Sequence, residues 1–294
     1  MNTTKGIILA GGYGSRLYPL TYGVSKQLIP VYDKPMIYYP LSILLIAGIK
    51  DILIITKIED NSSFRKLLGD GKKYGINIEY AIQETPGGIA EALIIGANFI
   101  DKNNVCLILG DNIFYSEKME IYLSKAQNNF IDGFSTIFGV KVDNPSEFGV
   151  VELNSDKEII SIIEKPIKPK SEIIVSGLYF YPNNVLEIVS DLKPSNRGEL
   201  EITDINSFYL NKQKLKMIDF SNDVTWVDTG TYKSLIDASN YFQQFEENSG
   251  RKVACIEELV YKMGYINKEQ LTEIANDMKS SEYGRYLLEI LKYD

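Results

Sequence analysis

The chain has 294 residues, enough for one large α/β domain or two small ones with a substantial core, and its 45% hydrophobic and 24% charged residues are ordinary for a globular protein. A net charge of −8 and a pI near 4.9 exclude a general nucleic-acid or acidic-membrane surface, because such binding draws on a broad basic field. Two cysteines, Cys106 and Cys255, are too few for a disulfide scaffold, and the absence of histidine removes the commonest general acid/base and metal ligand.

The opening MNTTKG runs straight into the first strand pattern, which leaves no room for a signal peptide, and a reduced cytoplasmic setting is expected. Gly6 to Leu9 form a short apolar run that suits a strand covered on both faces in a parallel sheet. Gly11, Gly12 and Gly14 then let the backbone curl and aim successive N–H groups at one anion. The dinucleotide fingerprint fails here, since Leu17 stands where its third glycine belongs, and no Gly-Lys-Ser/Thr follows to make a P-loop. Alone, the glycines would be equally well explained by a plain strand-to-helix turn. Arg16, a two-pronged donor, and Lys26, a point charge ten residues on, tip the reading toward a nucleotide-phosphate site.

Next, Asp33-Lys34-Pro35 is expected to start a buried helix that Gly48 closes. Residues 51–56 read as a strand, 60–68 as an amphipathic helix, 76–82 as a strand, and 89–99 as a helix feeding the strand VCLILGD. This alternation predicts a Rossmann-like, doubly wound, mixed but mostly parallel sheet, with ligands outside the carboxyl ends of the strands. The segments 11–16, 83–88 and 110–112 all follow strands and are expected to line one crevice. Gln83 offers an amide donor and acceptor that can pair with the edge of a pyrimidine, and Gly88 lets the backbone approach base or ribose. From about residue 134 to 220 closely spaced strands make a β-rich insertion; from 232 to 294 the pattern reads as helices. We therefore expect a core over 1–231 and a C-terminal helical region that packs on it.

Asp111 and Asp228 each sit in a tight turn after apolar residues. Either alone is better explained as a turn former, whereas the two together suit Mg²⁺, which takes few protein ligands and completes its octahedron with water and substrate phosphates. Glu164-Lys165-Pro166 after IISII reads in isolation as a solvated hairpin.

These segments carry a resemblance. LAGGYGSRLYP (9–19) and SKQLIPVYDKP (25–35), followed in order by QETPGGIAEAL, LILGDNIFY, FGVVE, IEKP, VSGLYFY, RGELEITDIN and WVDTGT, are similar to the sugar-phosphate nucleotidyltransferases over nearly the whole chain. The thymidylyl branch, which uses dTTP and glucose 1-phosphate and opens dTDP-rhamnose synthesis, is the nearest match. The resemblance implies that Asp111 and Asp228 hold Mg²⁺ against the α-phosphate and the sugar phosphate. It further implies that Arg16, Lys26, Lys165 and Asp111 are catalytic, and that Leu9, Gly11, Gly12, Gly14, Ser15, Arg16, Gln27, Gln83, Pro86, Gly88 and Asp111 bind nucleotide. Lys26, Gly149, Glu164, Lys165, Val175 and Tyr179 are implied for the sugar phosphate, and the β-rich insertion is the sugar-binding part in this family.

Asp204, Glu199 and Glu201 are expected in a buried polar network or helix start, without a catalytic role. The alternatives are a uridylyltransferase or relaxed dTTP/UTP enzyme, since the bases differ by one methyl group, and a non-catalytic nucleotide-sugar sensor. The resemblance also implies a homotetramer inhibited by dTDP-rhamnose at a second site near the C-terminal helices. There Ser116-Glu117 replaces the usual Gly-His, and the segment from Ile256-Glu257-Glu258 to Lys262 departs from the usual proline-to-arginine pattern, which points to altered inhibition. Tyr13 and Ser15 depart from the family's usual residues but keep a hydroxyl at 15.

Overall fold

The computed structural model describes residues 3–293. Successive side chains of a strand point to opposite faces, so an unbroken apolar run is what a strand covered on both sides requires. In β1 (Thr4–Ala10), Ile8 and Ala10 enter one hydrophobic cluster and Ile7 the other, all fully buried. The chain then forms the glycine loop, a small hairpin of β2 (Pro30–Val31) and β3 (Lys34–Pro35), and helix α1 (Tyr38–Ile46).

The helix expected from Asp33-Lys34-Pro35 thus begins only at Tyr38. Lys34 and Pro35 pair with Val31 and Pro30, while Lys34 is drawn inward by Glu246 at 2.9 Å. Pro40 takes the place in the first helical turn that tolerates a missing N–H.

A βαβ series follows: β4 (Asp51–Thr56), α2 (Ile58–Leu68), β5 (Asn77–Ile82), α3 (Glu91–Ile95), α4 (Ala97–Ile100) and β6 (Asn104–Leu109). The single helix expected over 89–99 is split at Gly96, where a Cβ would come within 2.6 Å of the Ile7 side chain. Glycine there seats the backbone on the sheet at the cost of helix continuity. β1 pairs in parallel with β4 and β6, and β4 with β5. Ile52, Ile54, Cys106 and Ile108 join Ile8 on one face; Leu53, Ile55, Val105 and Leu107 join Ile7 on the other.

After β6 come β7 (Asn112–Tyr115), α5 (Met119–Asn128), β8 (Ser135–Lys141), β9 (Gly149–Leu153), β10 (Ile159–Glu164) and β11 (Ile173–Tyr181). They are followed by α6 (Val185–Ser190), α7 (Ile202–Asn211), β12 (Leu215–Asp219) and β13 (Thr225–Asp228). β11 runs antiparallel to β6, β8 and β9 and so welds the later strands onto the parallel ones. The result is a mixed nine-stranded sheet in the order β10-β9-β11-β6-β1-β4-β5, with β8 on β11 and β12 on β8. The path leaves β1 toward β4 and β5 and returns to its other side at β6. That reversal opens a crevice at the carboxyl ends of β1 and β6.

Outside this sheet, β7 and β13 make an antiparallel ribbon with Asn112 opposite Asp228. The chain closes with α8 (Tyr232–Ser249), begun by a reciprocal Thr231–Ser234 capping box, then α9 (Ile256–Lys262), α10 (Lys268–Asp277) and α11 (Glu282–Tyr293). Leu235, Ala238 and Phe242 of α8 pack with Val31 and Ile113, and Ile256, Val260, Leu271, Ala275 and Leu287 extend the core cluster that contains Ile8. Both cysteines are buried and free. Among the described residues no helix is long and apolar enough to cross a membrane.

Candidate active site

The crevice at the end of β1 is floored by the glycine loop. Gly14 has φ 62°, a left-handed conformation natural to glycine, and opens the single turn Ser15–Leu17 that presents Arg16. Gly12 has open space where a side chain would be. Gly11 is demanded by a neighbour: a Cβ there would lie 2.0 Å from Gln83 Oε1. Gln83 is therefore buried against the loop at the end of β5, although a surface position is the ordinary place for a glutamine. One cavity is lined by Gly12, Gly14, Ser15, Arg16, Lys26, Gln27 and Asp111. Gln27 is locked there, accepting from Ser25 Oγ at 2.8 Å and packing on Gly110, whose N–H donates to Leu9 O.

Lys26 is the centre of the charge arrangement. Its side chain is only 6% exposed, and its Nζ lies 2.6 Å from Asp111 Oδ2 and 3.9 Å from Asp228 Oδ1. The two aspartates are far apart in sequence, and the β7–β13 ribbon is what brings them to one cation. Burial works against the Asp111 carboxylate, but the Lys26 ammonium and a hydrogen bond from Asn112 outweigh it and hold that carboxyl below its ordinary range. Asp228 moves the other way, pushed up by burial first and by the Asp111 charge second, with Lys26 and Arg16 opposing. Arg16 reaches across the mouth to Glu147 at 3.1 Å, and Gly230 leaves it room, since a Cβ there would sit 3.2 Å from its guanidinium.

A second cavity meets the first at Arg16 and Asp111 and extends to Gly149, Glu164, Lys165, Val175, Tyr179 and Asp228. A register shift in β11 falls between Val175 and Tyr179, and both residues line the cavity. Glu164 ends β10 and accepts from Thr203 Oγ1 at 2.5 Å, while Gly149 leaves space between them, its missing Cβ 3.1 Å from Thr203 Oγ1 and 3.4 Å from Glu164 Oε2. Lys165 is held at φ 42°, which costs a side-chain-bearing residue on the order of 1–3 kcal/mol, and its N–H donates to Phe148 O at 2.9 Å.

Asn112 lines the crevice as expected of the segment 110–112, but its bonding role, and the presence of Arg197, Thr203 and Trp226, carry no expectation from the sequence. Asn112 donates to Asp111 Oδ1 at 3.1 Å and accepts from Trp226 Nε1 at 2.8 Å and Gly177 N–H at 3.3 Å, so it fixes the aspartate to both β11 and the ribbon. Arg197 bonds Glu201 at 2.7 Å and lies 3.3 and 3.4 Å from Glu199 and Glu164. Thr203 and Trp226 line the same cavity, and neither a lone threonine nor a lone tryptophan carries a local signal. Glu199 and Glu201 stand in the expected polar network, and Glu201 immediately precedes α7. Leu9, Gly11, Gln83, Pro86 and Gly88 line neither cavity; Gln83 lies behind the loop, against Gly11. Gly88, with φ 105°, is shaped by the protein itself: a Cβ would come within 2.4 Å of Leu200 O. Pro86 is exposed in the same loop.

The arrangement gathers backbone N–H groups, four cations and two close carboxylates around two abutting cavities, which is chemistry for holding and activating phosphates. A family model described as nucleotidyl transferase matches residues 5–244. The chain is 51% identical over 288 residues to a glucose-1-phosphate thymidylyltransferase of Neisseria meningitidis serogroup A, covering 98% of this chain and 99% of the relative. It is 50% identical over 288 residues, with the same coverage, to an enzyme of the same name from Mycobacterium tuberculosis. A solved Bacillus anthracis relative, crystallised with sucrose, superposes with a TM-score of 0.75 at 41% identity, covering 81% of this chain and 95% of the other.

Proposed function

The chain belongs to the nucleotidyl transferase family, and from that premise we propose that it transfers a thymidylyl group from dTTP to glucose 1-phosphate, releasing pyrophosphate. The observation that carries this reading is the junction of the two cavities at Arg16 and Asp111, with Lys26 against Asp111: one charge cluster faces two phosphate-bearing substrates. The names of the relatives favour dTTP over UTP.

In this reading the loop N–H groups of Gly11 to Ser15 hold the triphosphate, and Arg16 leaves Glu147 to clamp the departing β,γ-phosphates. Lys26 and Lys165 take the reacting phosphates. Glu164, steadied by Thr203 and Arg197, accepts from sugar hydroxyls, with Gly149, Val175 and Tyr179 shaping the space around the ring. A phosphate oxygen of the sugar phosphate attacks the α-phosphorus in line, and the bond to the β-phosphate oxygen breaks. That nucleophile is already anionic at neutral pH, so no base is needed, which fits a chain without histidine.

Members of the family generally use a divalent metal. Among the described residues no cluster of three or more metal-ligating side chains exists, but two hard carboxylates that share one ammonium fit an ion that draws its other ligands from water and phosphate. Asp111 and Asp228 would hold Mg²⁺, which when bound neutralises charge on the α-phosphoryl oxygens. The deciding experiment is pyrophosphate release with glucose 1-phosphate and Mg²⁺, comparing dTTP, UTP, ATP, CTP and GTP. We expect a strong dTTP preference, abolition by EDTA and recovery with added Mg²⁺; equal or greater use of UTP would move the enzyme to the uridylyl class, and no release at all to a sensor. Gly11→Ala is expected to displace the Gln83 amide and raise the KM for dTTP on the order of tenfold, with little change in the KM for glucose 1-phosphate.

The same reading places the enzyme in the cytoplasm at the first step of dTDP-rhamnose synthesis, as a homotetramer. It treats residues 1–231 as the catalytic core, with the sugar-binding part over about 134–220, and 232–294 as a packing and regulatory region. A separate cavity beneath α9, lined by Tyr115, Glu117, Arg251, Lys252, Glu258 and Lys262, suits a nucleotide-sugar inhibitor by its cations and aromatic wall. Glu117 there engages Arg251 at 2.8 Å, and dTDP-rhamnose is expected to inhibit this enzyme weakly because it must compete with that pair.

A further inference from the structure

The orientation of the Gln83 amide is set by a residue outside the expected site. Gln83 donates from Nε2 to Glu91 Oε2 at 2.6 Å, and the same oxygen accepts the Gly87 N–H at 3.0 Å. Glu91, half-buried in the first turn of α3, is thereby pinned from two sides of the loop. An ionised carboxylate only accepts hydrogen bonds, so Gln83 must turn its NH₂ toward Glu91 and its carbonyl away. Gln83 Oε1 then lies over the Cα of Gly11, accepts no hydrogen bond among the described residues, and keeps contact with solvent. What Gln83 has left to offer is one carbonyl acceptor and one N–H.

We propose that Glu91 is a specificity-determining residue: by locking Gln83 carbonyl-outward, it selects keto pyrimidines, thymine and uracil, and rejects cytosine. Thymine and uracil present N3–H as a donor beside the C4 carbonyl acceptor, which complements the remaining acceptor and donor of Gln83. Cytosine reverses both, with a bare N3 and an amino group at C4. To pair with it, Gln83 would have to turn over, setting its carbonyl oxygen against the Glu91 carboxylate and leaving both acceptors without a donor between them. Glu91 itself acts through Gln83 and is a positioning residue.

The inference rests on the proposed use of dTTP and deepens it. Its test is kcat/KM for dTTP and for dCTP, each with saturating glucose 1-phosphate and Mg²⁺, in the full-length enzyme and two variants. The wild-type enzyme is expected to accept dTTP and dUTP and to discriminate against dCTP; dCTP used as well as dTTP would overturn the proposal without any variant. Glu91→Ala frees the amide to turn, and the dTTP:dCTP ratio is expected to fall at least about tenfold. Glu91→Gln, whose own carbonyl can accept both N–H groups, is expected to keep the ratio within about threefold of wild type. A merely structural Glu91 would lower both efficiencies in proportion and leave the ratio unchanged in Glu91→Ala, which overturns the proposal while the thymidylyltransferase reading stands. No pyrophosphate release from any nucleotide by the wild-type enzyme removes both.

Discussion

Asp111→Asn is expected to lower turnover on the order of 10²–10³-fold or more while the protein stays folded. The substitution keeps shape and the neighbouring Asn112 but removes one negative charge from the point where the two cavities meet. Lys26, whose Nζ is 2.6 Å from that carboxylate, is left with Asp228 alone at 3.9 Å, and a divalent cation held as proposed would lose one of its two carboxylates. Those losses fall on charge that develops only as the α-phosphorus is attacked, so kcat should suffer far more than the KM of either substrate. Folding is protected because Asp228 still neutralises the nearly buried ammonium, and because removing Asp111 also relieves the repulsion that pushes Asp228 up. Near-normal pyrophosphate release in saturating Mg²⁺, with a native circular dichroism spectrum, would sink the proposed mechanism.

The parts of this arrangement that the sequence declares are those written in local pattern. β1, β4 and β6 announce themselves because a strand covered on both faces must be apolar at every position, and Ile7 and Ile8 do enter opposite clusters. The glycine loop is legible for the same local reason. The pairing of Asp111 with Asp228 is not. It depends on a four-residue ribbon whose strands are separated by more than a hundred residues, and such short strands carry no periodicity of their own.

The start of helix α1 is hard to read for a related reason. Pro35 and Pro40 are equally good local start signals, and the choice is made by Lys34, which leaves for a distant carboxylate on α8 and takes Pro35 into the hairpin with it. Helices α5 and α6 are not legible in the sequence because they are short and interleaved with strands, and are held by tertiary contact more than by propensity. Gly88 has a structural reason that no local pattern announces: at φ 105° it lies against the backbone of Leu200, more than a hundred residues away.

That same buried lysine gives the largest expected change in stability. Glu246 on α8 is 6% exposed and accepts from Lys34 Nζ at 2.9 Å, Lys252 Nζ at 3.1 Å and the Val253 N–H at 2.9 Å. Asp33 contacts both lysines as well, so two cations and two anions close a buried square between the β2–β3 hairpin, α8 and the segment that follows it. Glu246→Ala removes one corner and leaves two ammonium groups facing one carboxylate, with the Lys34 side chain only 1% exposed. Breaking a buried pair from one side costs about 3–5 kcal/mol, because the surviving charge is left under-compensated and out of reach of water.

The exposed pair Lys233–Asp237 on the same helix supplies the control, and Asp237→Ala should leave the denaturation midpoint where it was. If the loss in Glu246→Ala comes from stranded charge and not from lost packing, then replacing both partners, Lys34→Met with Glu246→Leu, should recover a large part of it. A double variant as unstable as Glu246→Ala alone, in equilibrium urea denaturation, would show that the square acts by filling space. Since the hairpin begins only two residues after the turn Lys26–Leu28, we expect kcat in Glu246→Ala to fall as well at a temperature where the variant is still folded.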